Sequence, residues 1–188
     1  MTILKLQRIA VTVLTVTLAM ALWAGYIYAR TGGVGDLCEA AQGCDCHSDM
    51  PNANGAVTVA ITGPQSVDVG TTNSYTISVT GGPSGTTGGF NLCADGGTLV
   101  AGPGTVAASG QLIHTNADNR SWTFEWTAPD TETSVEFTAV GQATDGAQTR
   151  GDSWNWYGGS AGSPFSITVT GPVPVEPITW GLLKDRYR

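Results

Sequence analysis

Ser121-Trp-Thr-Phe-Glu-Trp-Thr127 decides the fold class. Successive side chains of an extended strand point to opposite faces. Trp122, Phe124 and Trp126 therefore share one face, and Ser121, Thr123, Glu125 and Thr127 share the other. Rings on one side with hydroxyls and a carboxylate on the other mark a strand with one buried and one wet face. The three rings are read as core, where aromatics dominate by buried area. The same period of two recurs outward in both directions. Upstream it appears in residues 56–62, 74–80, 89–94, 98–101 and 111–115, and downstream in 134–139, where Val135, Phe137 and Ala139 share a face, and in 164–170. Gly, Pro, Asn and Asp separate these runs, as at Gly63-Pro64, Gly81-Gly82-Pro83 and Asp95-Gly96-Gly97. The pattern predicts an all-β, immunoglobulin-like sandwich of about seven to eight strands. No amphipathic helix is expected between residues 48 and 171.

Outside this block the composition changes. Lys5 and Arg8 precede an uncharged apolar run, residues 9–29. This reads as a signal peptide, residues 1–29, or as an uncleaved membrane anchor, since a span needs about 20 apolar residues. Residues 30–55 form a Cys/His loop and 56–171 the sandwich domain. Residues 172–177, Pro-Val-Pro-Val-Glu-Pro, form a stiff linker. Residues 178–188 form a basic, aromatic tail with the character of a sorting or anchoring tag. The expected location is therefore exported: periplasmic, cell-surface or extracellular, with any membrane contact made through the N-terminal segment or a C-terminal anchor.

The chain has 188 residues and a formal net charge of −7. Between Asp36 and Gly171 the only Lys or Arg residues are Arg120 and Arg150, whereas just two acids, Glu176 and Asp185, lie outside that interval. Such a surface excludes nucleic acid, which requires clustered Lys and Arg, and disfavours anionic lipid. An acidic face of this kind suits a redox partner protein with a basic face.

The chemistry concentrates in Cys44-Asp45-Cys46-His47. Two thiols and an imidazole so close together point to a soft-ligand centre. One reading is a c-type haem, whose attachment signature is Cys-x-x-Cys-His. Cys44 and Cys46 would form the thioethers and His47 would ligate the iron. His114, the only other histidine, would be the distal ligand, ahead of Met50. The spacer here is one residue shorter than in that signature. A second reading is direct zinc or copper binding by Cys44, Cys46, His47 and His114. A third is structural disulfides, since exported proteins oxidise even sets of cysteines. Four cysteines allow three pairings, and pairing Cys44 with Cys46 is disfavoured by geometry. Cys38 with Cys93 would staple the N-terminal loop to the sheet and leave Cys44, Cys46 and His47 for a cofactor. His114 also has a plain structural reading, satisfying a strand-end carbonyl.

Arg150-Gly151-Asp152 spells an adhesion tripeptide, short enough to arise by chance. Asp95, Asp118, Asp145 and Asp152 offer calcium ligands without the spacing of a calcium loop. No nucleophile elbow, phosphate loop or His-Glu-x-x-His motif is present, so no enzymatic activity is expected.

Several segments occur in a recognisable order: Cys44 to His47, Ile61-Thr-Gly-Pro64, Gly89-Phe-Asn-Leu92, Gly96-Gly-Thr-Leu99, His114-Thr115, Trp122-Thr-Phe-Glu-Trp-Thr-Ala-Pro129 and Gly151-Asp-Ser-Trp-Asn155. Over roughly residues 35–171 the chain resembles the bacterial choice-of-anchor V domain and, more distantly, the Reeler domain of animal extracellular proteins. The resemblance implies a Reeler-like sandwich, export and a variable C-terminal anchor. It implies little about biochemical role.

Overall fold

The computed structural model describes residues 32–38, 43–44, 56–146 and 152–171. The N-terminal signal or anchor, the positions of Cys46, His47 and Met50, the proline linker and the tail lie outside the described residues. Described residues form no helix. None is therefore long and apolar enough to cross a membrane.

The strands are β1 (Val57–Thr62), β2 (Ser66–Asp68), β3 (Thr72–Gly81), β4 (Gly88–Ala94), β5 (Thr98–Val100), β6 (Thr105–Ala108), β7 (Gln111–His114), β8 (Ser121–Thr127), β9 (Thr133–Ala143), β10 (Ser153–Trp156) and β11 (Phe165–Thr170). One sheet runs β1-β3-β8-β5; the other runs β2-β11-β9-β4-β7-β6, with β10 also paired to β9. All ladders between strands are antiparallel except β2–β11. The β1-β3-β8-β5 and β11-β9-β4 sets form the four-plus-three frame of an immunoglobulin-like sandwich, with the β6–β7 hairpin extending the second sheet.

All eight sequence-predicted strands are present, and the expected count of seven to eight falls short by β2, β6 and β10. All three missed strands have only three or four residues. β10, Ser-Trp-Asn-Trp, escapes the period-of-two reading because three of its four side chains are buried, with Asn155 pointing inward between two tryptophans.

β9 organises the second sheet. One edge pairs with β4 from Phe137 to Ala143. The other pairs first with β11, from Thr133 to Phe137, and then with β10, from Val140 to Ala143. β10 also ties the two sheets together: Asn155 Nδ2 donates to Val57 O at 2.7 Å, and Tyr157 bridges to Val59.

The core is aromatic. The Phe137 ring lies 5.4 Å from both Tyr75 and Trp126 and 6.2 Å from Phe124 and Phe165. Trp122, Phe124 and Trp126 are buried together as expected. Buried ring polar groups need partners. Trp126 Nε1 donates to Gly96 O at 2.9 Å, and Tyr75 Oη to Pro64 O at 2.9 Å. Burial pushes the Tyr75 phenol up to about 12.

At one end, Arg120 donates to the carbonyls of Thr87, Gly81, Pro83 and Thr144 at 2.8 to 2.9 Å. A single guanidinium, with five fixed donors, thereby gathers the β3–β4 connection and the segment after β9.

Candidate functional site

β4 departs from simple alternation: every residue from Gly88 to Cys93 is buried. Phe90 and Leu92 face the core, while Asn91 and Cys93 face outward and are covered by the N-terminal segment. Cys38 and Cys93 form a disulfide with Cα atoms 5.9 Å apart. Around it lies a continuous polar network. Cys38 N donates to Asn91 Oδ1 at 2.8 Å, and Asn91 Nδ2 donates to Gln111 Oε1 at 3.1 Å. Asp36 N donates to the same Gln111 oxygen at 2.7 Å, and Gln111 Nε2 donates to Asp36 Oδ1 at 2.7 Å. These bonds satisfy the amides that the sheet buries.

The covering segment reaches further across the same face. Cys44 is buried in a small cluster with Val140, Trp154 and Trp156, against which Leu37 packs. Gly43 lies flat on the Trp154 ring; a Cβ there would come within 2.1 Å of it.

His114 ends β7, where that strand leaves β4. Its Nδ1 lies 3.1 Å from both the amide nitrogen and the carbonyl oxygen of Phe90. One tautomer accepts from the amide and the other donates to the carbonyl. The ring occupies the space over Gly89, where a Cβ would stand 2.4 Å from Cε1. Burial lowers the His114 pKa below its ordinary value, and the Phe90 hydrogen bond partly opposes this.

Cys38 and Cys93 are thus joined, and Cys44 and His114 lie on the same sheet but at different strands. Gly89 pairs with Gln142 and Gln142 with Trp154. The imidazole over β4 and the Cys44 cluster at β10 are therefore about two strand spacings apart, roughly 10 Å. His114 lies within hydrogen-bonding distance of a backbone carbonyl, that of Phe90, which sits inside β4 and not at a strand end. The adhesion tripeptide fares differently: Asp152 is only 5% exposed and its Oδ1 accepts from Asp145 N at 3.3 Å, so its carboxylate is not displayed. Among the described residues no group of three His, Cys, Asp or Glu side chains is placed to hold a metal ion. Asp95, one proposed calcium ligand, instead accepts from Glu136 N at 2.8 Å.

Asn91, Gln111, Asp36, Gln142 and Trp154 were not singled out from the sequence. Asn91 and Trp154 did fall within the family-like segments Gly89-Phe-Asn-Leu92 and Gly151-Asp-Ser-Trp-Asn155. A polar Asn outward from a strand reads as solvated unless its cover is known.

No family model matches the chain, and no curated protein does. Among solved structures it is similar to the PKD domain of an M14-like peptidase from Thermoplasmatales archaeon SCGC AB-540-F20, at 20% identity and TM-score 0.36, over 62% of this chain and 94% of that one. It is also similar to the CARDB domain of a Pyrococcus furiosus protein, solved in complex with di-metal ions, at 17% identity and TM-score 0.34, over 62% and 94%. A conjugative transposon lipoprotein from Bacteroides eggerthii matches at 12% identity and TM-score 0.33, over 63% and 100%. The fold assignment rests on the strand order and not on these likenesses.

Proposed function

We propose that the protein is an exported, non-catalytic β-sandwich module of structural or adhesive type, carried on the cell surface or in the periplasm. The observation that supports this best is the Cys38–Cys93 disulfide within its buried network. Disulfides persist in oxidising compartments, in agreement with the N-terminal export signal read from the sequence. The buried polar side chains Asn91, Gln111 and Asn155 serve the fold: each bonds a backbone group or a neighbouring amide. The resemblance to choice-of-anchor V domains fits the same role, with the C-terminal tail fixing location. Fractionation of cells expressing the full chain tests it. Recovery of the oxidised protein outside the cytoplasm is expected, and a reduced cytoplasmic protein would overturn the reading.

The His114 geometry favours a second reading, in which the Cys44-Asp45-Cys46-His47 loop carries a c-type haem or a zinc or copper ion. Metal-bound histidines commonly donate their second ring N–H to a backbone carbonyl. Nδ1 of His114 lies at that distance from Phe90 O, which leaves Nε2 for a ligand. Cys44 sits on the same sheet, against Trp154. In this reading Cys44 and Cys46 anchor the group, His47 and His114 ligate it, and electron transfer to a basic-faced partner is the role. A protein made with haem-c maturation active would gain the mass of one haem. One made without it would bind zinc or copper if the centre is a direct metal site. Absence of both would remove this reading and leave the first intact.

A further inference from the structure

Two of the three exposed large apolar side chains among the described residues, Val34 and Val106, border the same residue. Val106, 42% exposed, is directly paired with Ile113, so the two side chains share the outer face of the second sheet. Val34, 37% exposed, lies between Gly33 and Gly35, and both glycines rest on the Ile113 side chain, so closely at Gly33 that a Cβ would collide with it. Val34, Ile113 and Val106 therefore make one apolar patch at the β6–β7 edge. The third exposed residue, Val100, lies on β5 of the other sheet, paired with Glu125, and is not part of this patch.

The patch stands where the chain enters the domain from the apolar run 9–29. Val34 is five residues past Ala29. Fully extended chain covers at most about 18 Å over that stretch. The run also carries the marks of a retained anchor. Its length suffices for one span, which takes about 20 residues. Lys5 and Arg8 precede it, a bias that keeps the N-terminus inside and sends the domain out. Trp23, Tyr26 and Tyr28 gather towards its outer end, as aromatic residues do at a membrane interface, and Arg30 follows as a headgroup anchor. Ile27 occupies a position where cleavage after Ala29 calls for a small residue. The headgroup layer takes up about 5–8 Å of the tether. The slack that remains is about 10 Å, no more than the spacing between two packed sheets. A domain tethered so closely abuts the bilayer, and the side it presents is the one bearing Val34. Asp36, two residues further on, has its Oδ1 bonded to Gln111 Nε2 at 2.7 Å.

We propose that residues 9–29 remain in the membrane and that the Val34, Ile113 and Val106 patch rests on the outer headgroup layer. The partner is a zwitterionic lipid surface, since an acidic domain gains nothing from anionic headgroups. The sandwich then stands with its β6–β7 edge towards the bilayer and its β2–β11 edge away from it. This rests on the exported-module reading and adds the orientation in which the module is displayed.

The test places the photo-cross-linking residue p-benzoylphenylalanine in the full chain, as Val34→p-benzoylphenylalanine, Val106→p-benzoylphenylalanine or, for comparison, Thr58→p-benzoylphenylalanine. Thr58 is exposed on β1, at the far edge of the other sheet. Each variant is reconstituted in phosphatidylcholine vesicles and irradiated. Phosphatidylcholine adducts at positions 34 and 106, and none at 58, are the expected result. No lipid adduct at 34 and 106 overturns the proposal, as does an adduct at 58 as strong as at 106, or cross-linking of position 106 to a second copy of the chain instead of lipid. An intact Cys38–Cys93 disulfide in each variant shows that the strap is in place. The N-terminus of the protein recovered from cells gives an independent check. A chain that retains residues 9–29 is expected. One that begins at Arg30 outside the cytoplasm overturns the proposal and leaves the exported module standing, whereas a cytoplasmic protein removes both.

Discussion

Gly89 is a glycine because His114 occupies the place of its side chain. A Cβ there would meet Cε1 at 2.4 Å and Nε2 at 2.7 Å. Gly89→Ala forces the imidazole off Phe90 and should destabilise the protein by about 1–3 kcal/mol, the usual cost of overpacking. Urea unfolding measures it, and an unchanged midpoint would show that the ring moves freely. His114 itself gives a pH signature. Its pKa is lowered in the folded state by burial. The unfolded chain therefore takes up the proton first as pH falls. Stability contributed by the neutral ring is complete above its ordinary value of 6.5 and declines as pH drops below it. Unfolding midpoints between pH 7.5 and 5 should show this decline, and His114→Leu should flatten it. At high pH the opposite case applies to Tyr75, whose raised pKa makes stability fall as pH climbs from 10 towards about 12.

At the scale of elements, the covering segment and β4 depend on each other. The disulfide closes a loop with a sequence separation of 55. In the chain-entropy account a loop of that size contributes about 4 kcal/mol. Replacing both Cys38 and Cys93 by alanine should lower stability by about 2–4 kcal/mol. It should also speed hydrogen exchange at the Cys38 and Asp36 amides, which bond Asn91 and Gln111. Unchanged exchange at those amides would mean that hydrogen bonds alone hold the segment in place. The strands were legible where one face is wet, as in β1, β8 and β11, whose burial alternates residue by residue. They were not legible as two-sided in β4, because the second burial comes from a segment about 50 residues away in sequence. The four cysteines allow Cys38–Cys93, but spacing alone cannot choose it: connectivity depends on which strand the loop crosses. His114 stood out as a lone imidazole. Trp154 did not, because its place against Cys44 and Gly43 comes from the fold and not from local sequence.

At the scale of the molecule, two features hold the sandwich together beyond its aromatic core. β10 bridges the sheets at one side. Arg120 gathers the connections at one end. Arg120→Met would leave four carbonyls without their donor and should cost about 1.5–3 kcal/mol, as for hydrogen bonds from a charged group. Thermal unfolding reads the loss, and a parent-like melting temperature would show that water replaces the guanidinium. The surface is otherwise acidic, and the one adhesion-like tripeptide keeps its Asp152 carboxylate inside. Any adhesive role therefore falls to another part of the surface. The sandwich is oxidised, its N-terminal segment stapled to β4 by the Cys38–Cys93 disulfide. A non-reducing peptide map of the protein, expressed with its N-terminal segment, tests it most directly. A cross-linked peptide joining Cys38 to Cys93 is the predicted result. Cys93 recovered as a free thiol, or joined to Cys44 or Cys46, would contradict it.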